Sequence, residues 1–208
     1  MLISPPFGGG RAPVLARNTV ASSQPLATQA GIEALQNGGN AVDAALATAI
    51  TLTVVEPTMN GIGGDGFAIL WDGKKIHGLN ASGRAPAAWK PEYFAGKSAM
   101  DLIGWNTVTV PGMVSGWIEL SRKFGKLPFA QLFKRAIDYA ENGFPVSPVI
   151  ARQGREAIPI LKNEPGFSES FLLDGKAPVA GQLWRYPAQA NTLREIANTE
   201  GESFYTGQ

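Results

Sequence analysis

The run from Ala41 to Val55 constrains this chain more than any other stretch. Wound as a helix behind Asn40, it sets Ala41, Val42, Ala44, Ala45, Ala47, Ala49 and Ile50 around nearly every side. A helix that is apolar all round has no face to offer water, so neighbours must cover it on several sides, and its small residues let their backbones come close. It is also broken by Asp43 and by Thr48, Thr51 and Thr53, and it falls short of the roughly 20 apolar residues that a bilayer span needs. The run therefore reads as a core helix. Before it, Ser22-Ser23-Gln24-Pro25 offers a helix start, Leu26, Ala30, Ala34 and Leu35 fall near one face, and Asn37-Gly38-Gly39 supplies a left-handed stop.

Strand signals follow. Asn60-Gly61-Ile62-Gly63-Gly64-Asp65-Gly66 leads into Phe67-Ala68-Ile69-Leu70-Trp71, Asp72-Gly73 marks a hairpin turn, and Lys75 to Leu79 returns. The loop lacks the Lys-Ser or Lys-Thr ending of a phosphate-binding loop, and it enters a strand where a dinucleotide fingerprint would open a helix. Positive φ angles and close backbone packing are the expected reasons for its glycines.

The second half reads as mostly helical. Val110-Pro111-Gly112 precedes a helix from Met113 to Phe124, with Val114, Trp117, Ile118 and Leu120 as its stripe and Gly125 as its stop. Pro128 introduces a helix over Phe129 to Asn142, ended by Gly143. A third runs from Ser147 toward Leu161 and is expected to bend or stop near Pro159. Pro165 to Arg185 reads as irregular, and Pro187 to Asn198 as the last helix. Phe204-Tyr205 then call for a packing partner that nothing after them provides.

Lys+Arg 18 against Asp+Glu 17 leaves a net charge of +1, so no global field draws nucleic acid or an anionic membrane, and neither is expected as a partner. With no cysteine there is no disulfide, thiolate metal site or thiol nucleophile, and with one histidine, His77, a histidine-rich metal site fails as well. His77 reads as a surface or hydrogen-bonded strand residue. Residues 1–15 read as a flexible arm without the continuous apolar stretch of a signal peptide, which places the protein in the cytoplasm. The one chemically suggestive segment is Asn80-Ala81-Ser82-Gly83-Arg84-Ala85-Pro86. An arginine at a strand end can offer its planar fork to a carboxylate, or it can tie down neighbouring loop carbonyls.

In order, these segments resemble the N-terminal part of the γ-glutamyltranspeptidase family, including its cephalosporin-acylase-like relatives. The resemblance is carried by Ala27-Thr28-Gln29-Ala30-Gly31, Gly38-Gly39-Asn40-Ala41-Val42-Asp43-Ala44-Ala45, Gly61-Ile62-Gly63-Gly64-Asp65-Gly66-Phe67, Gly83-Arg84-Ala85-Pro86 and Val110-Pro111-Gly112-Met113-Val114-Ser115-Gly116. Ala136-Ile137-Asp138-Tyr139-Ala140-Glu141-Asn142-Gly143-Phe144 and Phe204-Tyr205-Thr206-Gly207 complete it.

The resemblance implies an α+β N-terminal nucleophile hydrolase fold, two stacked sheets between helical layers (αββα), of which residues 16–208 form the front of the large subunit. It also implies a precursor that cuts itself, and a freed threonine that attacks γ-glutamyl amides such as glutathione. That nucleophile and the oxyanion-hole glycines are expected beyond residue 208, so no catalytic residue is assigned in this chain. Neither Thr58 nor Thr206 takes that role. An N-terminal threonine is activated by its own α-amine, whose pKa lies near neutrality, so no cofactor, metal or histidine is called for. The expected partners are the small-molecule donor and the rest of the precursor, meaning the remaining large subunit and the small subunit. Alone, the 208 residues are expected to be inactive, with the hairpin sheet uncovered on one side.

Arg84 is the one substrate-binding residue implied, as a ligand of the donor's carboxylate. Typical members carry their arginine two residues earlier, where this chain has Ser82. Ser-Gly-Arg-Ala-Pro is more similar to the acylase-like branch, with glutaryl-type donors as the enzymatic alternative. A catalytically silent scaffold is the alternative from another class.

Overall fold

The computed structural model describes residues 15–207, so the expected N-terminal arm, Leu15 apart, lies outside the described residues. Helix α1 spans Pro25–Gln36 and α2 spans Ala41–Val55. Between them Asn40 builds a full capping box. Its side-chain oxygen accepts from Val42 N and Asp43 N, and the Asp43 carboxylate accepts from Asn40 N at 2.8 Å. Nearly every residue from Val42 to Val55 is buried. The threonines are no exception, because each donates its hydroxyl to a carbonyl of its own helix: Thr48 to Ala44, Thr51 to Ala47 and Thr53 to Ile50.

Asp43, which the sequence presents as an interruption, has no exposed surface. Besides capping α2, its carboxylate accepts from Lys126 N at 3.0 Å and Leu127 N at 3.3 Å, while Asn40 Nδ2 donates to Phe124 O at 2.6 Å. The Gly-Gly-Asn-Ala-Val-Asp motif is thus a clamp between the start of α2 and the end of α3, Met113–Phe124.

Around α2 pack α1, α3, a 3₁₀ segment over Phe129–Phe133 and α4, Lys134–Asn142, with α7, Pro187–Thr199, against α4. Ile50, Val54, Phe133, Phe144, Leu193 and Ile196 share this core. Each such side chain contributes about 1.5–3 kcal/mol when fully withdrawn from water. The single helix expected over Phe129–Asn142 is divided. Its first five residues are wound more tightly, and Leu132 and Phe133 are both buried while the rings of Phe129 and Phe133 meet edge-on at 4.9 Å.

Helix α5, Pro148–Leu161, contains Pro159 and ends less than a turn beyond it, as expected of a residue that removes a helical N–H donor and crowds the preceding turn. The stretch expected to be irregular holds α6, Phe167–Phe171, and β4, Leu183–Trp184, paired antiparallel with β3, Phe144–Pro145. Five- and two-residue elements carry too little periodicity to be read from sequence.

The hairpin joins β1, Gly66–Trp71, to β2, Ile76–Ala81, in a register running from Gly66↔Ala81 to Trp71↔Ile76. Leu70, Leu79 and Ala81 turn toward the core side, where β1 and β2 pack on α3. The other face is bare: Phe67 is 66%, Ile69 86%, Trp71 61% and Ile76 70% exposed. The described residues are therefore α+β, with two separate two-stranded sheets and not yet a stacked pair. Among them no helix is long and apolar enough to cross a membrane.

The reason expected for the loop glycines is corrected. None of Gly61, Gly63, Gly64 and Gly66 has a positive φ, and Gly61 and Gly63 have open space where a side chain would go. Close packing holds for the other two: a would-be Cβ on Gly64 lies 3.3 Å from Gly61 O, and one on Gly66 lies 2.9 Å from Met113 Sδ.

Candidate functional site

Beyond β2 the chain runs through Ser82 and Gly83 to Arg84, and a second segment, Thr109 to Gly112, crosses it. Arg84 and Val110 form an isolated antiparallel bridge in which Val110 N donates to Arg84 O at 2.9 Å. Thr109 Oγ1 donates to Ser82 O at 3.1 Å. Two glycines make the crossing possible. A Cβ on Gly83, whose φ is +81°, would lie 1.9 Å from Val110 O, and one on Gly112 would lie 2.1 Å from Ala81 O. Gly-Arg-Ala-Pro and Val-Pro-Gly-Met-Val-Ser-Gly, well apart in sequence, are therefore one structural unit.

Gly112 is also the N-cap of α3, and without a side chain it caps nothing. The orphan N–H groups that every helix start leaves are met from elsewhere. Met113 N donates to Gly64 O of the glycine-rich loop at 3.1 Å, and Ser115 N donates to the Tyr205 hydroxyl at 2.9 Å. That hydroxyl in turn donates to Pro111 O at 2.8 Å. Tyr205 belongs to α8, Glu202–Thr206, and its neighbour Phe204 packs on the core. Of the aromatic pair expected to lack a partner, Phe204 packs backward on the core, and Tyr205 stays partly exposed while its hydroxyl reaches the start of α3.

These segments surround an open cleft of ≈ 510 Å³ lined by Asn80, Ser82, Arg84, Val110, Ser115 and Tyr205 among others. The Arg84 side chain is exposed, and among the described residues its guanidinium has no hydrogen-bond or ion-pair partner. What ties Arg84 down is its backbone. Of the two uses open to this arginine, bracing loop carbonyls has no hydrogen bond in its favour among the described residues, and Arg84 is among the residues that line the cleft.

The other residues singled out in the sequence are engaged elsewhere. His77 Nε2 lies 2.6 Å from Asp72 Oδ2, and its ring meets Phe124 edge-on at 4.8 Å, at the far end of β2 from Arg84. The His77 hydrogen bond, with the N–H groups of Lys75 and Lys74, holds the Asp72 carboxyl well below the usual carboxylate range. Thr58 Oγ1 donates to Gln153 Oε1 at 2.6 Å, and Thr206 Oγ1 to Glu202 O at 2.8 Å, so both hydroxyls serve local structure. No three His, Asp or Glu side chains among the described residues converge as metal ligands would. The sequence singles out Arg84; Thr109, Ser115 and Tyr205, which the fold gathers beside it, are not singled out. The available signal was Tyr205, an aromatic with a polar tip set after a helix and a turn.

A gamma-glutamyltranspeptidase family model matches residues 27–208. The chain is 39% identical over 194 residues to the glutathione hydrolase-like YwrD proenzyme of Bacillus subtilis, a match covering 92% of this chain and 37% of that protein. It is 41% identical over 190 residues to the oxamate amidohydrolase proenzyme of Klebsiella pneumoniae, covering 88% of this chain and 36% of that protein. Among solved structures, a cephalosporin acylase from Bacillus halodurans matches with a TM-score of 0.84 at 44% identity, covering 97% of this chain and 41% of that one. The chain spans little more than a third of the length of the curated relatives it matches, 37% and 36%.

Proposed function

Because the chain belongs to the gamma-glutamyltranspeptidase family, we propose that it forms the carboxylate-reading wall of an N-terminal nucleophile amide hydrolase or acyltransferase, with γ-glutamyl amides such as glutathione as donors. The observation that carries this reading is that Arg84, exposed and with no side-chain partner among the described residues, lines a cleft that the start of α3 also lines. A carboxylate set there gains a fork of charge-assisted hydrogen bonds and the positive end of a helix dipole. The bare hairpin face supports a larger αββα globule in which a second sheet covers Phe67, Ile69, Trp71 and Ile76.

In this reading Arg84 fixes the donor so that its amide carbon lies before a threonine hydroxyl supplied by a later part of the precursor. The threonine's own α-amine takes the hydroxyl proton as the C–O bond forms, then passes it to the departing amine as the C–N bond breaks. The resulting ester is opened by water, giving the free acid, or by an amino acid, giving a new amide. Residues 1–208 alone contain neither nucleophile nor oxyanion hole and should not turn over γ-glutamyl-p-nitroanilide.

One observation favours a second reading. A solved structure matched at 44% identity is a cephalosporin acylase, and Ser-Gly-Arg-Ala-Pro, with Ser82 where typical members are expected to carry their arginine, resembles that branch. A glutaryl-type acyl group keeps the terminal carboxylate at the same chain length as a γ-glutamyl group but lacks the α-amine.

The test is Arg84→Ala in the complete enzyme. Removing one side of a close charge pair costs about 2–5 kcal/mol, so KM for carboxylate-bearing donors should rise thirtyfold or more, with only partial recovery in Arg84→Lys. An unchanged KM would assign Arg84 to structure. Comparing glutaryl- with γ-glutamyl-p-nitroanilide separates the two readings.

A further inference from the structure

We propose that Tyr205 is a positioning residue for Arg84, acting through the start of α3 and not through the substrate. This rests on the reading of Arg84 as the carboxylate ligand. The need for such a residue follows from Gly112, where any side chain would collide with Ala81 O, so the helix that floors the cleft cannot be capped by its own N-cap. Ser115 does not remedy this, since its hydroxyl donates to Gly112 O at 2.7 Å. The Tyr205 hydroxyl fills the role by accepting from Ser115 N at 2.9 Å and donating to Pro111 O at 2.8 Å, across a sequence separation of 90 and 94 residues.

Pro111 directly follows Val110, whose N–H donates to Arg84 O. One phenol oxygen therefore grips the segment on which the Arg84 backbone rests. Its single proton is engaged by Pro111 O and one lone pair by Ser115 N–H, so it is poorly free to bind a donor directly. Burial does not account for it either: Tyr205 is 39% exposed, whereas its neighbour Phe204 packs against the core. The hydroxyl fixes geometry at the cleft rim and adds little to the core.

The experiment uses the complete precursor with Tyr205→Phe, which keeps the ring and removes the oxygen. Amide hydrogen exchange across residues 106–116 should accelerate about tenfold at Val110 and Ser115, and can be followed whether or not the precursor has processed. In the processed enzyme, losing these hydrogen bonds should raise KM for carboxylate-bearing donors roughly fivefold to tenfold with kcat within about twofold. In an Arg84→Ala background the same change should leave KM unaltered. Unchanged exchange at Val110 overturns the proposal by itself, and so does a Tyr205→Phe effect on KM that persists in full without Arg84. If Arg84→Ala alone leaves KM unchanged, the carboxylate reading falls and positioning for binding falls with it, while accelerated exchange at Val110 would still establish the mechanical link.

Discussion

Asp43 shows how far one side chain can differ from its appearance in sequence. Among alanines it looks like a blemish on an apolar helix, yet its carboxylate gathers the N–H groups of Asn40, Lys126 and Leu127 in a site with no solvent exposure. Asn40 was legible as a helix cap, but neither the return bond from Asp43 nor its contact with residues 126 and 127 was, and nothing local encodes a partner more than eighty positions away. Replacing Asp43 by Ala leaves those buried donors without an acceptor. The expected loss is about 3 kcal/mol, to be read from denaturant unfolding of the complete enzyme. A change below about 0.5 kcal/mol would show that water or a backbone shift replaces the carboxylate. Arg84 is the opposite case: its place at a strand end before Ala-Pro was plain, whereas the freedom of its side chain depended on which neighbours folding brought near.

At the level of elements, long periodic stretches were legible and short ones were not. Helices α2 and α3 lie where their apolar residues and flanking Asn40 and Gly125 set them, because capping and burial agree there. Helix α6 and the β3–β4 pair depend on tertiary contacts such as those that Tyr186 makes with the rings of Phe171 and Phe144, 6.0 and 6.1 Å away. The hairpin turn adds a pH dependence. Asp72 accepts from Lys74 N and Lys75 N, both at 2.8 Å, beside His77, and these partners lower its pKa. A carboxyl whose folded pKa is depressed contributes stability that is complete above its unfolded value near 3.9 and is lost as pH falls below it. Exchange protection of the Lys74 and Lys75 amides relative to Asp72→Asn should thus hold steady from about pH 6 to 4 and shrink in more acid solution. Protection that stayed unchanged through that acid range would show that the Asp72 carboxylate does not hold the turn.

For the whole molecule, the two faces of the hairpin differ. Its inner face lies on α3, and its outer face presents Phe67, Ile69, Trp71 and Ile76 to solvent, a cluster of the kind that marks interaction surfaces. Ile69→Lys should make residues 1–208, expressed alone, bind less of a hydrophobic dye and aggregate less, while lowering the yield of active complete enzyme several-fold. Full activity in the complete enzyme would mean that this face stays in water. The Tyr205 contact sets an order of events as well. The first turn of α3 leaves the ribosome long before its cap, and at roughly 5–20 residues per second the intervening 90 residues take on the order of 5–20 s to make. During that interval the wall bearing Arg84 lacks its hydroxyl clamp, so the cleft is completed long after the residues that line most of it have been made.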